Sequence, residues 1–314
     1  MKKISQRIKI LVLGILFLGI LTGIMVRTSY VLREKEGTAM HDLFRQFERD
    51  SIDTIFVGTS HQYCSINPDI LYEEYGINSF MMATSGQTVP MTYYAVMEAI
   101  EYQHPKTIIM EALYCANDFR TVTPGMTHMF FDGMPWCEAK HLGVKDLAEP
   151  EERLYYYFDL GFYHSRWKDL SEVDFQSNLT SPRGTFFSDQ VQYNWEIPVL
   201  DKSEKEPMPE EMKKYLDKII ALCKENEVEL ILYVAPYNAL YDDDYTRQNL
   251  FYMQRVFHWL EEYVEEQLIP FHNLFHELDS IGLDGATDFM DSQHCNYAGQ
   301  EKLTRYMAEK GYIK

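Results

Sequence analysis

The chain has 314 residues, of which 46% are apolar, enough for one large domain or two small ones. Residues 1–27 hold five Lys and Arg and no acidic residue, whereas residues 28–314 hold 24 basic and 48 acidic residues, a formal charge of −24. A surface this acidic argues against nucleic acid as a partner, and against broad electrostatic docking on an anionic polymer or membrane.

The first 27 residues predict a membrane anchor. Met1–Lys9 is basic, and Ile10–Val26 is a run of seventeen residues without a charge, which is near the lower limit for spanning a bilayer. A cleaved signal peptide is the alternative, but the stretch after Val26 lacks the small-x-small cleavage site of such peptides. We therefore expect an uncleaved single-pass anchor, with Met1 in the cytoplasm and residues 28–314 outside, because basic flanks remain on the cytoplasmic side.

After a polar, helical connection at residues 28–50, strands alternate with helices over residues 51–314. This alternation predicts an α/β domain whose parallel central sheet is covered on both faces. Short apolar runs predict strands at or within residues 53–58, 77–82, 106–113, 228–235 and 268–275. Helices are predicted from Asn67-Pro68, at 90–103, 208–226 and 245–266, and from Asn296 onward.

Residues 120–200 interrupt this alternation. The segment has few clear periods and is rich in aromatic residues, namely Trp136, Trp167, Trp195 and the run 155–158. We interpret it as an insertion that packs on the α/β core and forms one wall of a cleft. Residues 163–167 and Arg183-Gly184 could line a sugar site, although core packing is the simpler use of such aromatic residues.

Polar residues that directly follow the predicted strands are the first site candidates, because ligands of a parallel sheet bind beyond the carboxyl ends of its strands. Ser60 follows the first strand, where a strand-to-loop turn would expose its hydroxyl. Gly86 follows the second strand and could give a backbone N–H to an oxyanion hole. Asn117 follows the third and could add a side-chain amide, with Asn238 as a weaker alternative. Ordinary turn chemistry explains each of them as well.

A late motif, Asp291-Ser292-Gln293-His294, supplies the other two side chains of a serine hydrolase. In that chemistry the serine attacks, the histidine takes its proton, and the aspartate holds the histidine's tautomer and stabilises the imidazolium. An Asp and a His three residues apart can share one face of a helical turn. Asp288 is the alternative carboxylate. His61 could touch substrate, whereas we expect the other histidines to be isolated core or surface groups.

The five cysteines predict neither a disulfide scaffold nor a zinc site. Their number is odd, and no Cys-x-x-Cys pair occurs. We expect mostly buried free thiols.

Three blocks of sequence resemble the SGNH (GDSL-like) hydrolase superfamily, and more closely its membrane-anchored branch that includes DltD and alginate O-acetylation proteins. They are Val57–Ser60, Ala83–Gln87 and Asp291–Gly299. The resemblance implies a three-layer α/β/α fold and no metal or other cofactor. It also implies Ser60 as nucleophile, His294 as base, Asp291 as orienting acid, and an oxyanion hole that includes the N–H groups of Ser60 and Gly86. The superfamily's Gly-x-Asn-Asp block lacks its glycine here, which leaves the role of Asn117 open.

These features predict an extracytoplasmic, membrane-tethered serine acyltransferase or esterase. It would act on O-acyl groups, in the first place acetyl, of a cell-envelope glycopolymer, and an integral-membrane O-acyltransferase is a partner by family analogy. Transferase and esterase share an acyl-enzyme, and the sequence does not separate them. The alternative from another class is a catalytically idle glycan-binding or scaffold protein. The presence of all three residues of the proposed triad, Ser60, His294 and Asp291, argues against this alternative.

Overall fold

A computed structural model describes residues 2–34, 39–175, 181–193, 197–238, 244–291 and 293–314. Trp195 and Ser292, both named above, lie outside these residues. Within them, five strands form one parallel sheet in the order β2-β1-β3-β4-β5. The strands are β1 (Thr54–Gly58), β2 (Ser79–Ala83), β3 (Thr107–Glu111), β4 (Glu229–Val234) and β5 (Phe271–Asn273). The predicted α/β class and parallel sheet are confirmed.

Helices cover both faces of the sheet, as a three-layer α/β/α fold requires. Strand residues alternate between the two layers: Ile55 and Ile108 pack on one side, and Phe56 and Ile109 on the other. Because both sides are buried, the strands read as continuous apolar runs. The helices are α1 (Lys2–Leu32), α2 (Ala39–Phe44), α3 (Ser60–Ser65), α4 (Pro68–Tyr75), α5 (Val89–Gln103), α6 (Pro124–Phe131), α7 (Glu138–Leu147), α8 (Leu160–Tyr163), α9 (Glu210–Glu225), α10 (Asp244–Glu265), α11 (Leu278–Ile281) and α12 (Tyr297–Glu309).

Helices α4 and α5 each begin at a side chain that accepts from free backbone N–H groups. Asn67 accepts from the N–H groups of Asp69 and Ile70 at the start of α4, and Pro68 occupies the first turn, where its missing N–H costs nothing. Thr88 caps α5 by accepting from Met91. The Asn67 cap explains why the predicted start of α4 agrees with the observed one.

The N-terminal helix α1 is longer than the predicted anchor. Its segment Gln6–Leu32 is long and apolar enough to cross a membrane. The last turn packs on the aromatic-rich insertion: Ser29 and Arg33 bind the carboxylate of Asp159, and Arg166 donates to the carbonyls of Leu32 and Arg33. α1 therefore ends in contact with the domain.

The second half of the insertion packs along the edge of the sheet, where Arg183, one of the residues named for a sugar site, makes structural contacts. The backbone carbonyl of Arg183 accepts from the N–H of Met81 in edge strand β2 at 3.0 Å. Its guanidinium lies 3.8 Å from the centre of the Tyr72 ring and donates to Asn78. Gly184 lies against Met81, where an added Cβ would come within 3.0 Å of backbone and side-chain atoms.

Candidate functional site

Ser60 lies at the carboxyl end of β1, where the strand order reverses. β2 flanks β1 on one side and β3 on the other, and such switch points are where parallel sheets bind ligands. The predicted loop around Ser60 is wrong, since Ser60 is the first residue of α3. The close turn depends on Gly58, which has a φ of +148° and lies so near Gln62 that an added Cβ would meet its Cβ at 3.1 Å.

Asp291 and His294 lie in a loop before α12 and not in a helical turn, which their spacing would also have allowed. The loop is closed by an antiparallel bridge between Phe289 and Cys295. One carboxylate oxygen of Asp291, Oδ1, accepts from the backbone N–H groups of Gln293 and His294, both at 2.8 Å. The other oxygen is thereby left to face the imidazole.

The three side chains form one hydrogen-bonded chain. Asp291 Oδ2 lies 2.7 Å from His294 Nδ1, and His294 Nε2 lies 2.8 Å from Ser60 Oγ. The His294 side chain is 11% exposed and that of Asp291 40%. Hydrogen bonds from His294 and from the two backbone N–H groups outweigh partial burial and lower the pKa of Asp291 to about 2. Asp291 is therefore an anion at neutral pH and favours the tautomer in which Nδ1 carries the proton.

The loop with Asp291 and His294 leads directly into helix α12, and Asn296 and Gly299 fix how the loop joins the helix. Asn296 caps α12 by accepting from the N–H of Gly299. An added Cβ on Gly299 would lie 2.3 Å from the carbonyl oxygen of Asp288, so only glycine permits this approach. Asp288 is not the partner of the histidine: its buried carboxylate pairs with Lys302 at 2.6 Å.

His61 is a neighbour of the catalytic candidates. Its ring lies 4.5 Å from that of His294 and stacks on Tyr237 at 5.6 Å. Neither of its nitrogens has a hydrogen-bond partner within the described part of the chain. Burial, followed by repulsion from His294, lowers the pKa of His61 well below its usual value. His61 is therefore a neutral ring that packs against the imidazole of His294.

The expectation that the remaining histidines are isolated is wrong for three of them, which pair with carboxylates. His104 lies 2.6 Å from Asp50 at the surface, and the other two are buried. His128 pairs with Asp132 at 3.0 Å and is stacked between Tyr156 and Phe162. His41 pairs with Glu98 at 2.6 Å, both side chains being fully buried. These pairs stabilise the packing of the helices away from Ser60.

Glu111 is a buried acid that the sequence analysis passed over. It ends β3, and its carboxyl group accepts from the N–H of Leu113 at 3.1 Å and of Ala235 at 3.4 Å, joining the ends of β3 and β4. Burial raises the pKa of Glu111 to about 8, so it is protonated at neutral pH. The available signal was a single charge inside an apolar strand, since Glu is rarely buried without a partner.

The oxyanion-hole candidates lie at the same edge of the sheet as Ser60, and this shared position is what the structure shows of them. Ala83 is in register with Gly58, so Gly86 and Ser60 follow neighbouring strand ends. Gly86 has a φ of +66°, and Met126 from the insertion lies against it, where a Cβ would meet Sδ at 2.6 Å. Asn117 follows the 3₁₀ turn Leu113–Ala116 and is half-buried. Asn238 is buried. The roles of Gly86 and Asn117 remain predictions.

No thiol competes with Ser60 as nucleophile. All five cysteines are free, and Cys64 and Cys295 are buried. Burial raises the pKa of Cys295 to about 12, which keeps it in the unreactive thiol form.

Across the described ranges, no three His, Cys, Asp or Glu side chains are grouped so that they could hold a metal ion.

No protein-family model matches the chain. No curated protein matches it either. Among solved structures, it is similar to a crystal structure from Bacteroides fragilis of a "putative acylhydrolase", with 10% identity and a TM-score of 0.44 over 86% of this chain and 92% of that chain. A likeness at this level leaves the activity of the chain to be argued from its own site.

Proposed function

We propose that this protein is an SGNH-type serine acyltransferase or esterase. The observation that carries the proposal is the hydrogen-bonded chain from Asp291 through His294 to Ser60 at the switch point of a parallel sheet. An ionised carboxylate, a largely buried imidazole and a serine hydroxyl in this order are the requirements of nucleophilic acyl transfer.

In the first step Ser60 Oγ attacks the carbonyl carbon of an ester, and its proton passes to His294 Nε2. The negative charge of the tetrahedral intermediate is on the former carbonyl oxygen, where the N–H groups of Ser60 and Gly86, with Asn117 as a third candidate, would stabilise it. The intermediate collapses as the C–O bond to the alcohol breaks, and the leaving oxygen takes the proton from Nε2. An acyl-enzyme on Ser60 and a free alcohol result.

In the second step a hydroxyl group resolves the acyl-enzyme. His294 Nε2 takes the proton of a water or a sugar hydroxyl as its oxygen attacks the acyl carbon, and then returns a proton to Ser60 Oγ. Water as acceptor makes the enzyme an esterase, whereas a sugar hydroxyl makes it a transferase. Both outcomes use the same three residues.

We assign the substrate as O-acyl, in the first place O-acetyl, groups of a cell-envelope glycopolymer on the outer side of the membrane. The basic N-terminal flank and the apolar length of α1 support an anchor with the domain outside. The polymer, and an integral-membrane O-acyltransferase as partner, rest on the resemblance of the sequence blocks.

The proposal is tested by treating the full chain in detergent with a fluorophosphonate and mapping the adduct by mass spectrometry. We expect an adduct on Ser60 that is absent in Ser60→Ala and strongly reduced in His294→Ala. Folded protein that is not labelled at Ser60 would refute an activated nucleophile. Product analysis with a glycan acceptor present then separates transfer from hydrolysis.

A further inference from the structure

A groove of about 480 Å³ lies between the outer part of α1 and the aromatic-rich insertion. From α1 it is lined by residues on one helical face, including Thr22, Met25 and Val26, and from the insertion by Trp136, Phe158 and Leu160. The insertion therefore reaches back along the helix beyond the turn where α1 first joins the domain.

The residues of α1 that line this groove indicate where the groove lies along the membrane normal. Ile10–Val26 is the uncharged part of the helix, and the large apolar side chains there are exposed, as expected for contact with lipid. Thr22, Met25 and Val26 belong to the outer end of that part. Trp136 and Phe158, which line the groove with them, must then lie at the boundary of the hydrocarbon layer.

The side chains on the insertion suit that position. Trp136 is 64% exposed and Phe158 is 54% exposed, with their rings 6.0 Å apart. Large aromatic side chains exposed side by side are unusual on a water-facing surface, whereas Trp is enriched at membrane interfaces. Tyr157 and Asp159 extend the groove towards a second, more polar cavity that also contains Arg33.

The contacts at the end of α1 make this arrangement rigid. Ser29 is buried, and both Ser29 and Arg33 bind Asp159, while Arg166 satisfies the last carbonyl groups of the helix. A helix that merely tethered the domain would need none of these bonds. The bilayer therefore meets a fixed face of the domain.

We propose that Trp136 and Phe158 form an interfacial platform that inserts into the outer boundary of the lipid leaflet nearest the domain, with an acyl chain of that leaflet in the groove beside α1. The platform holds the catalytic domain in one orientation on the membrane. This inference rests on the anchor role that the proposed function gives to α1, but not on any catalytic activity.

The test uses the full chain in nanodiscs, with phosphatidylcholine brominated near the head-group end of one acyl chain as a contact quencher of tryptophan fluorescence. α1 contains no tryptophan, so any quenching comes from the domain. We expect Trp136→Phe to remove most of the quenching. The matched control is Trp259→Phe, because Trp259 stacks on Tyr263 at the surface of α10 and should leave the quenching unchanged.

A second variant separates contact with lipid from loss of a fluorophore. Phe158→Glu places a charge in the platform and should reduce the quenching of Trp136, while Val199→Glu, at a residue 71% exposed elsewhere, should not. Quenching that persists unchanged in Trp136→Phe would overturn the platform, because another tryptophan would then be the one in contact with lipid. No quenching in the wild type would also overturn it and would make a protein partner the better occupant. Labelling of Ser60 by the fluorophosphonate, measured on the same samples, shows separately whether the proposed function holds.

Discussion

Asp291→Asn tests the order of the three catalytic candidates most sharply, because the surrounding backbone dictates how an asparagine must lie. The N–H groups of Gln293 and His294 both donate to Oδ1, so the oxygen of the new amide must occupy that position. Its nitrogen then faces His294 Nδ1 and donates to it. The imidazole is held in the tautomer with its proton on Nε2, which cannot accept the proton of Ser60.

The size of the effect follows from two losses. In the variant, a proton on His294 Nδ1 would face the N–H of the new side-chain amide, and two donors left without an acceptor cost about 1–3 kcal/mol. The variant also lacks the hydrogen bond from the imidazolium to a charged carboxylate, which contributes about 1.5–3 kcal/mol. Their sum is about 2.5–6 kcal/mol, and about 1.4 kcal/mol corresponds to a tenfold change in rate. We expect Asp291→Asn to slow the reaction of Ser60 by about 10²–10⁴-fold. The 40% exposure of Asp291 favours the lower end, since water can partly replace the carboxylate.

The assay is the second-order rate of fluorophosphonate labelling of Ser60 in the full chain, with p-nitrophenyl acetate hydrolysis as a second readout. Asp288→Asn is the matched control, because Asp288 pairs with Lys302 and not with His294. It should cost stability while changing the labelling rate only a few-fold. An Asp291→Asn protein that labels within about tenfold of the wild type would refute the tautomer argument, since that argument requires at least about 2.5 kcal/mol.

Three further predictions concern the surroundings of the triad. Gly299→Ala should lower the free energy of unfolding by about 1–3 kcal/mol through its clash with backbone, whereas Gly125→Ala, where a Cβ meets only a side-chain atom at 3.9 Å, should be neutral in thermal melts. His61→Phe should retain labelling of Ser60 within a few-fold and His61→Ala should lose much more of it, because the ring only packs on His294 and Tyr237; equal losses would contradict this. Burial raises the pKa of Glu111 to about 8, so its carboxyl group keeps a proton in the folded state that it loses near pH 4.5 in the unfolded state. The contribution of Glu111 to stability therefore falls as the pH rises from about 4.5 to 8. Glu111→Gln should remove up to about 1.4 kcal/mol per pH unit of that fall, as measured by unfolding at several pH values; parallel pH profiles would argue against a protonated carboxyl.

The sheet could be predicted from sequence because its strands are buried on both faces. Residues 55–57 and 230–235 are uninterrupted apolar runs that stop at Gly58 and Pro236, as expected for strands buried on both faces. The helix starts were predictable because Asn67 and Asn296 are local signals that act within three residues. Such features depend on the chain near them and not on its tertiary contacts.

What could not be predicted depends on which polar groups the fold buries. The stretch after Ser60 has no helical apolar pattern, so the sequence predicts a loop there. The structure has a short helix, α3, whose polar residues His61 and Gln62 are buried by tertiary packing. Asp291 and His294 lie three residues apart in a bridged loop, a spacing that a helical turn would satisfy equally well. The contact between α1 and Asp159 joins segments about 130 residues apart, and no local pattern encodes it.

The distance between Ser60 and His294 is fixed by helix contacts more than by the sheet. The two residues are 234 positions apart, and His294 reaches Ser60 only because α12 packs against α3 and α4. Gln300 of α12 donates to the carbonyl of Tyr63 at 2.7 Å, and Thr304 accepts from the N–H of Asn67 at 2.9 Å. A displacement of about 1 Å in a catalytic group can cost about 10²-fold in rate. We therefore expect Gln300 and Thr304 to hold His294 in position, beyond any contribution that they make to stability.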